Sequence, residues 1–121
     1  MPSRLKYESI AFHGEESAEA ALVRNEPSEL LYVPVAASLY SEDLEWAQGL
    51  CARLARHPHV NVRGNAVLGF GHLARRFGRL DRVVVEPLVR EALADPDAYV
   101  SGQADAAAED LQHFLGWDLG T

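Results

Sequence analysis

HPHVNVRGNAVLGFGH, residues 57–72, decides how this chain folds. It holds a helix stop at Pro58, a helix start at Asn61 and an apolar rhythm that runs on to Phe77. Gly64, Gly69 and Gly71 interrupt that rhythm, and each costs about 1 kcal/mol against alanine in a helix interior. On a helical wheel Val62, Ala66, Gly69, Phe70, Leu73 and Phe77 form one stripe, the expected core face. Gly64 and Gly71 lie together roughly opposite it, with Val67 and Ala74 on one flank and Asn65, Leu68 and His72 on the other. No broad face is strongly polar until Arg75 and Arg76. A helix that is small or apolar almost all round is buried on several sides. Glycine then lets backbones approach closely, and the packing gained offsets the propensity lost. That accounts for Gly69. For Gly64 and Gly71 a second reading stays open, in which a bare backbone surface receives a partner's loop.

The same stretch recurs. HPHVNVRGNA (57–66) aligns with DPDAYVSGQA (95–104), placing Pro58 on Pro96, Val62 on Val100, Gly64 on Gly102 and Ala66 on Ala104 at a constant offset of 38. Asn65 and Gln103 put a carboxamide at the same place twice. Each unit reads as helix, tight turn, helix. In the first, Ser41 caps a helix over 42–56 with Glu42 and Asp43 in its first turn, and Asn61 caps a second over 62–77 that ends at Gly78. In the second, Asp81 caps a helix over 82–94, Asp95-Pro96-Asp97 turns the chain, and a last helix runs over 98–115 to Gly116. A degenerate third unit precedes them: a helix over 16–24, the turn Asn25-Glu26-Pro27, and an apolar helix over 28–40 in which Pro34 fits only near a start or a kink. The organisation expected is one domain with an arm over 1–15, ambiguous between strand and helix over 4–12, a degenerate repeat over 16–40, and repeats over 41–78 and 79–117.

Composition bounds the rest. The 121 residues suffice for one domain and are too few for two. No apolar run approaches the roughly 20 residues of a membrane span, and MPSRLKYESIAF has no long apolar core of a secretory signal. The one cysteine, Cys51, has no cysteine to pair with, which suits a reducing, cytoplasmic setting. A net charge of −7 opposes binding to nucleic acid or anionic lipid and suits either plain solubility or a basic protein partner.

Helical hairpins 38 residues apart, with a second helix that opens Val62-Arg63-Gly64-Asn65-Ala66 after a His-Pro turn, resemble the HEAT-repeat class of alpha-solenoids. The second copy, Val100-Ser101-Gly102-Gln103-Ala104, lacks the arginine. The resemblance covers residues 42–116 well and 16–40 poorly. It implies an all-α fold, a short right-handed stack of about three helical hairpins with an irregular first one. Members of the class serve as protein-binding scaffolds or adaptors. In longer members the arginine supports packing between repeats, so its loss at Ser101 suits a terminal repeat. The stretch VRGNAVLGFGHLAR also resembles short bacterial HEAT-like proteins. By size, acidity and solitary architecture the chain is similar to immunity proteins that block a toxin.

Catalytic and metal chemistry find little footing. His57 and His59 flank a proline but lack a third ligand at zinc spacing. His72 is expected to be buried and hydrogen-bonded to a backbone or carboxylate group, with no nucleophile beside it. Gly69-Phe70-Gly71 lies mid-helix and is no dinucleotide fingerprint. Trp46 and Trp117 serve packing, Trp117 folding back over the last apolar layer. Asp105, Glu109 and Asp110 make the last helix acidic; Asp105 and Glu109, at i and i+4, share a face without a recognisable cleft for a glycosidase pair. The expectation is a non-enzymatic module without cofactor or metal that binds a protein through Asn65, His72, Gln103, Asp105, Glu109 and Asp110. Its most specific form is an acidic inhibitor covering the basic site of a nuclease-type toxin; the alternative is a general adaptor that binds a host enzyme or itself.

Overall fold

A computed structural model describes residues 12–119. Among these the chain is all-helical, in the order α1 Glu15–Arg24, α2 Pro27–Leu30, α3 Val33–Tyr40, α4 Leu44–Leu54, α5 Val60–Phe77, α6 Arg82–Leu93 and α7 Ala98–Leu115. The class is that of a helical bundle. The arm expected over residues 1–15 lies outside the described residues up to residue 11, and α1 already begins within it.

The helix stops and starts follow the capping chemistry of the sequence. Asp81 accepts the Val83 N–H at 3.1 Å, and Asp97 accepts those of Tyr99 at 2.9 Å and Val100 at 3.3 Å. Gly78 and Gly116 follow α5 and α7 in the left-handed region at φ 67° and 71°, where a β-carbon would be strained. Three expectations need correction. The cap of α4 is Asp43, whose carboxylate accepts the Trp46 N–H at 3.1 Å, while Ser41 instead accepts the Asp43 N–H at 3.1 Å two residues earlier. The cap of α5 is His59 rather than Asn61, because the imidazole Nδ1 accepts the Asn61 N–H at 3.2 Å. The helix expected over 28–40 is broken at Leu31 and Tyr32. Continued through that point, it would press the Pro34 ring against the Leu30 carbonyl; restarted at Val33, it puts Pro34 at the second position, where no N–H is needed.

The core forms around α5, which packs against α2, α3, α4, α6 and most extensively α7. Its Val62, Ala66, Val67, Phe70, Leu73 and Ala74 are fully buried. Facing them on α7 are Val100, Ala104, Ala107 and Leu111, also at 0% exposure. All three interior glycines turn out to be points of close approach. A β-carbon on Gly69 would lie 2.7 Å from the Cys51 Sγ of α4; one on Gly71 would lie 3.2 Å from the Ala107 Cα of α7; one on Gly64 would touch the Tyr99 ring at 3.0 Å. The open surface considered for Gly64 and Gly71 is therefore occupied by α7. Trp117 folds back and is 7% exposed, with the Arg82 guanidinium over its ring at 5.1 Å.

The offset of 38 recurs in the backbone. Helices α5 and α7 are both 18 residues long, and their caps, His59 and Asp97, share φ −80° and ψ 125°.

Candidate partner-binding face

The six residues expected to bind a partner fall into three groups. Asn65 and Gln103 meet. Asn65 is 7% exposed, and its amide is consumed internally: Nδ2 donates to the Leu31 carbonyl at 2.8 Å, and Oδ1 accepts from the Tyr99 hydroxyl and from Gln103 Nε2 at 3.0 Å. Gln103 also donates to the Tyr99 oxygen at 3.1 Å. One buried carboxamide thus ties α5 both to the α2–α3 junction and to α7. A buried amide left unpaired costs about 1–3 kcal/mol, so this network is structural. Asn65, expected on the docking face, thus makes its side-chain bonds internally. Of this group Tyr99, 43% exposed, still presents surface.

His72 and Asp110 form the second group, on the facing flanks of α5 and α7. The close approach of the helices at Gly71 lays the Asp110 carboxylate over that glycine, where a β-carbon would meet Oδ2 at 2.7 Å. His72 Nδ1 is buried and has no hydrogen-bond partner among the described residues, so the expected bond to backbone or carboxylate is not made there. Burial pushes the imidazole below its ordinary range; Arg75 pushes the same way and Asp110 opposes them. Among the described residues no hydrogen bond to Nδ1 orients the ring.

Asp105 and Glu109 are the third group. Both are exposed, on the side of α7 away from the stripe Val100, Ala104, Ala107 and Leu111. Neither joins an ion pair among the described residues, in contrast to Glu19, Glu29, Glu86, Glu91 and Asp95. Six arginines (Arg24, Arg53, Arg56, Arg63, Arg82 and Arg90) are engaged by those five carboxylates. Arg76 is also engaged, donating to the Ser38 and Ser41 carbonyls at 2.8 and 2.7 Å. The negative excess is therefore left on the surface rather than folded into the core.

A ladder that sequence reasoning saw only in part crosses the turns. Arg63 holds Asp95 through Nε at 2.9 Å and Nη2 at 3.3 Å, and donates to the His57 and Pro58 carbonyls at 3.0 and 3.2 Å. Earlier in the chain, Asn25 Oδ1 meets His57 Nε2 at 2.8 Å. Both pairs span 32 residues. The signal that could have shown this was the 38-residue offset itself, which aligns Asn25 with Arg63 and His57 with Asp95. With both Nδ1 atoms committed to backbone N–H groups, the His57 and His59 rings act as caps.

Other reactive groups are tied up. Cys51 is fully buried, and burial pushes its thiol up to about 12, which leaves no thiolate for chemistry at neutral pH. A recess of about 200 Å³ lies between Phe12, α1 and α3, and its carboxylate, Glu29, is held by both Nε and Nη2 of Arg24. No three His, Cys, Asp or Glu side chains among the described residues come together as a metal site, and no described helix is long and apolar enough to cross a membrane. The chain matches no family model, no curated protein and no solved structure.

Proposed function

We propose that the chain is a non-catalytic protein-binding module, a short HEAT-like stack whose acidic side captures a basic protein. The observation that carries this reading is the exposed Asp105–Glu109 pair of α7, unpaired among the described residues on a chain of net charge −7. Like charges at i and i+4 mildly destabilise a helix, so the pair is not what stability favours. They give the outer side of α7 a negative field that speeds encounter with a positive surface and selects it. The HEAT-like stacking draws support from α5 lying between α3 and α7, and from the Arg63–Asp95 bridge across consecutive hairpins. The most specific form is an immunity-type inhibitor that occludes the basic substrate channel of a nuclease toxin.

The test is affinity capture from the source cell with the wild-type chain and with a D105N/E109Q variant, at low and raised salt, read by mass spectrometry and nuclease assay. The expected result is a basic nuclease, inhibited while bound, whose capture weakens with salt and with the variant. Equal capture of a neutral or acidic protein by both chains would overturn the reading. The adaptor alternative draws on α6, where Val83 is 85% exposed beside Pro87, between Arg82 and Arg90. Self-association through that face would appear as a concentration-dependent mass in sedimentation.

A further inference from the structure

The offset of 38 carries a chemical substitution. In the turn before α7, Asp95 Oδ1 accepts the Asp97 N–H and Asp97 Oδ1 accepts the Tyr99 N–H, both at 2.9 Å. In the turn before α5 the same two acceptors are imidazoles: His57 Nδ1 takes the His59 N–H at 3.0 Å, and His59 Nδ1 takes the Asn61 N–H at 3.2 Å. These contacts define the protonation state. His57 is neutral with its hydrogen on Nε2, given to Asn25, and a lone pair on Nδ1. His59 likewise needs a lone pair on Nδ1. An imidazolium has two N–H groups and no lone pair, so one added proton sets a donor against a donor in either bond.

We propose that the His57-Pro58-His59 turn, which joins α4 to α5, is a proton-operated joint. Mild acid charges the His57 imidazole, releases the His59 amide, and loosens the cap and first turn of α5. The isostructural Asp95-Pro96-Asp97 turn stays closed.

The surroundings favour release over resistance. Burial lowers the His57 imidazole, and repulsion from the neighbouring His59 ring and from the Arg63 guanidinium adds to it. Among the described residues no carboxylate bonds either ring. The charged groups on the neighbouring elements are already paired, Arg24 with Glu29, Arg56 with Glu91 and Arg63 with Asp95. The positive end of the α5 dipole also disfavours a cation at its cap. An imidazole lowered on folding contributes stability that is complete above its ordinary value of 6.5 and lost as pH falls through the folded value. Asp95 is instead held below its ordinary 3.8, first by the Arg63 guanidinium and then by the Asp97 N–H, so its turn fails only at far lower pH.

The test is amide exchange by NMR on the full chain at about pH 7.5 and about pH 5.5, corrected for intrinsic rates. Protection of the His59 and Asn61 amides is expected to fall about tenfold, the worth of one cap, while that of Asp97 and Tyr99 holds. An H57D/H59D chain, which copies the second turn, is expected to keep its protection at both values. A His72→Gln chain is expected to lose it as the wild type does. Parallel behaviour of the two turns in the wild type, or disappearance of the effect with His72, would overturn the proposal even if H57D/H59D failed to fold.

Discussion

Adding a single methyl group to the middle of α5 should destabilise this protein although it improves the helix. A β-carbon at Gly69 would stand 2.7 Å from the Cys51 Sγ, 3.3 Å from the Ser38 Cβ and 3.4 Å from its Oγ. Ordinary carbon contacts lie at about 3.5–4.0 Å, so the sulfur would have to move by nearly an ångström. It has little room, since Cys51 and Ser38 are both at 0% exposure. Ser38 is further pinned by its own hydroxyl on the Val35 carbonyl and by Arg76 on its backbone. Overpacking a tight core costs about 1–3 kcal/mol, and this contact belongs in the upper half of that range. The helix gains about 1 kcal/mol from losing a glycine. Gly69→Ala should therefore lose about 1–2 kcal/mol net, a fall of roughly 3–10 °C in Tm for a chain of this size. The assay is urea unfolding of the wild type, Gly69→Ala, Cys51→Ala and the double variant. With the sulfur gone the methyl group has space, and Gly69→Ala should become neutral or stabilising, a coupling of about 2 kcal/mol. A stabilising Gly69→Ala in the wild type, or an equal loss in both backgrounds, would refute the close-packing account of these glycines.

Two further outcomes follow from the buried ties. Asn65→Ala should cost about 1–3 kcal/mol in urea unfolding, and Tyr99→Phe about 1 kcal/mol; near-silence at Asn65 would return it to the surface. Arg63→Ala should lower Tm, with Arg63→Lys restoring only part because an ammonium cannot reproduce the two-pronged grip on Asp95. Arg63 holds the Asp95 carboxyl below 3.8, so its contribution is present above that value and lost as pH falls through the lower folded one. The Tm gap between wild type and Arg63→Ala should then stay level above about pH 4 and close below it, measured by circular dichroism.

Local signals read well because caps and glycine stops act within one turn of helix. Asp81, Asp97, Gly78 and Gly116 could each be recognised without knowing any distant neighbour. The slip at His59 is also local: an imidazole Nδ1 does a carboxylate's work there, and residue type alone does not announce which ring nitrogen bears the hydrogen. The internal bonds of Asn65 escaped the sequence for a different reason. Its carboxamide looks like any polar side chain on the flank of a helix, and its partners at Leu31, Tyr99 and Gln103 lie 34 to 38 residues away. His72 looked like a satisfied core histidine, yet its Nδ1 is buried with no hydrogen-bond partner among the described residues, while Asp110 lies over the neighbouring Gly71.

Sequence by itself determined the all-helical character, the two helices that start and stop at matching distances after Pro58 and Pro96, and the excess of negative charge. Those depend on periodicity, caps and formal charge, which are summed residue by residue along the chain. Only the tertiary structure decided which glycine meets which neighbour, that the Asn65 amide is bonded internally, and that Asp105 and Glu109 stand exposed without an ion pair among the described residues. Those depend on how closely two helices approach, and that distance is set by the side chains of both surfaces together.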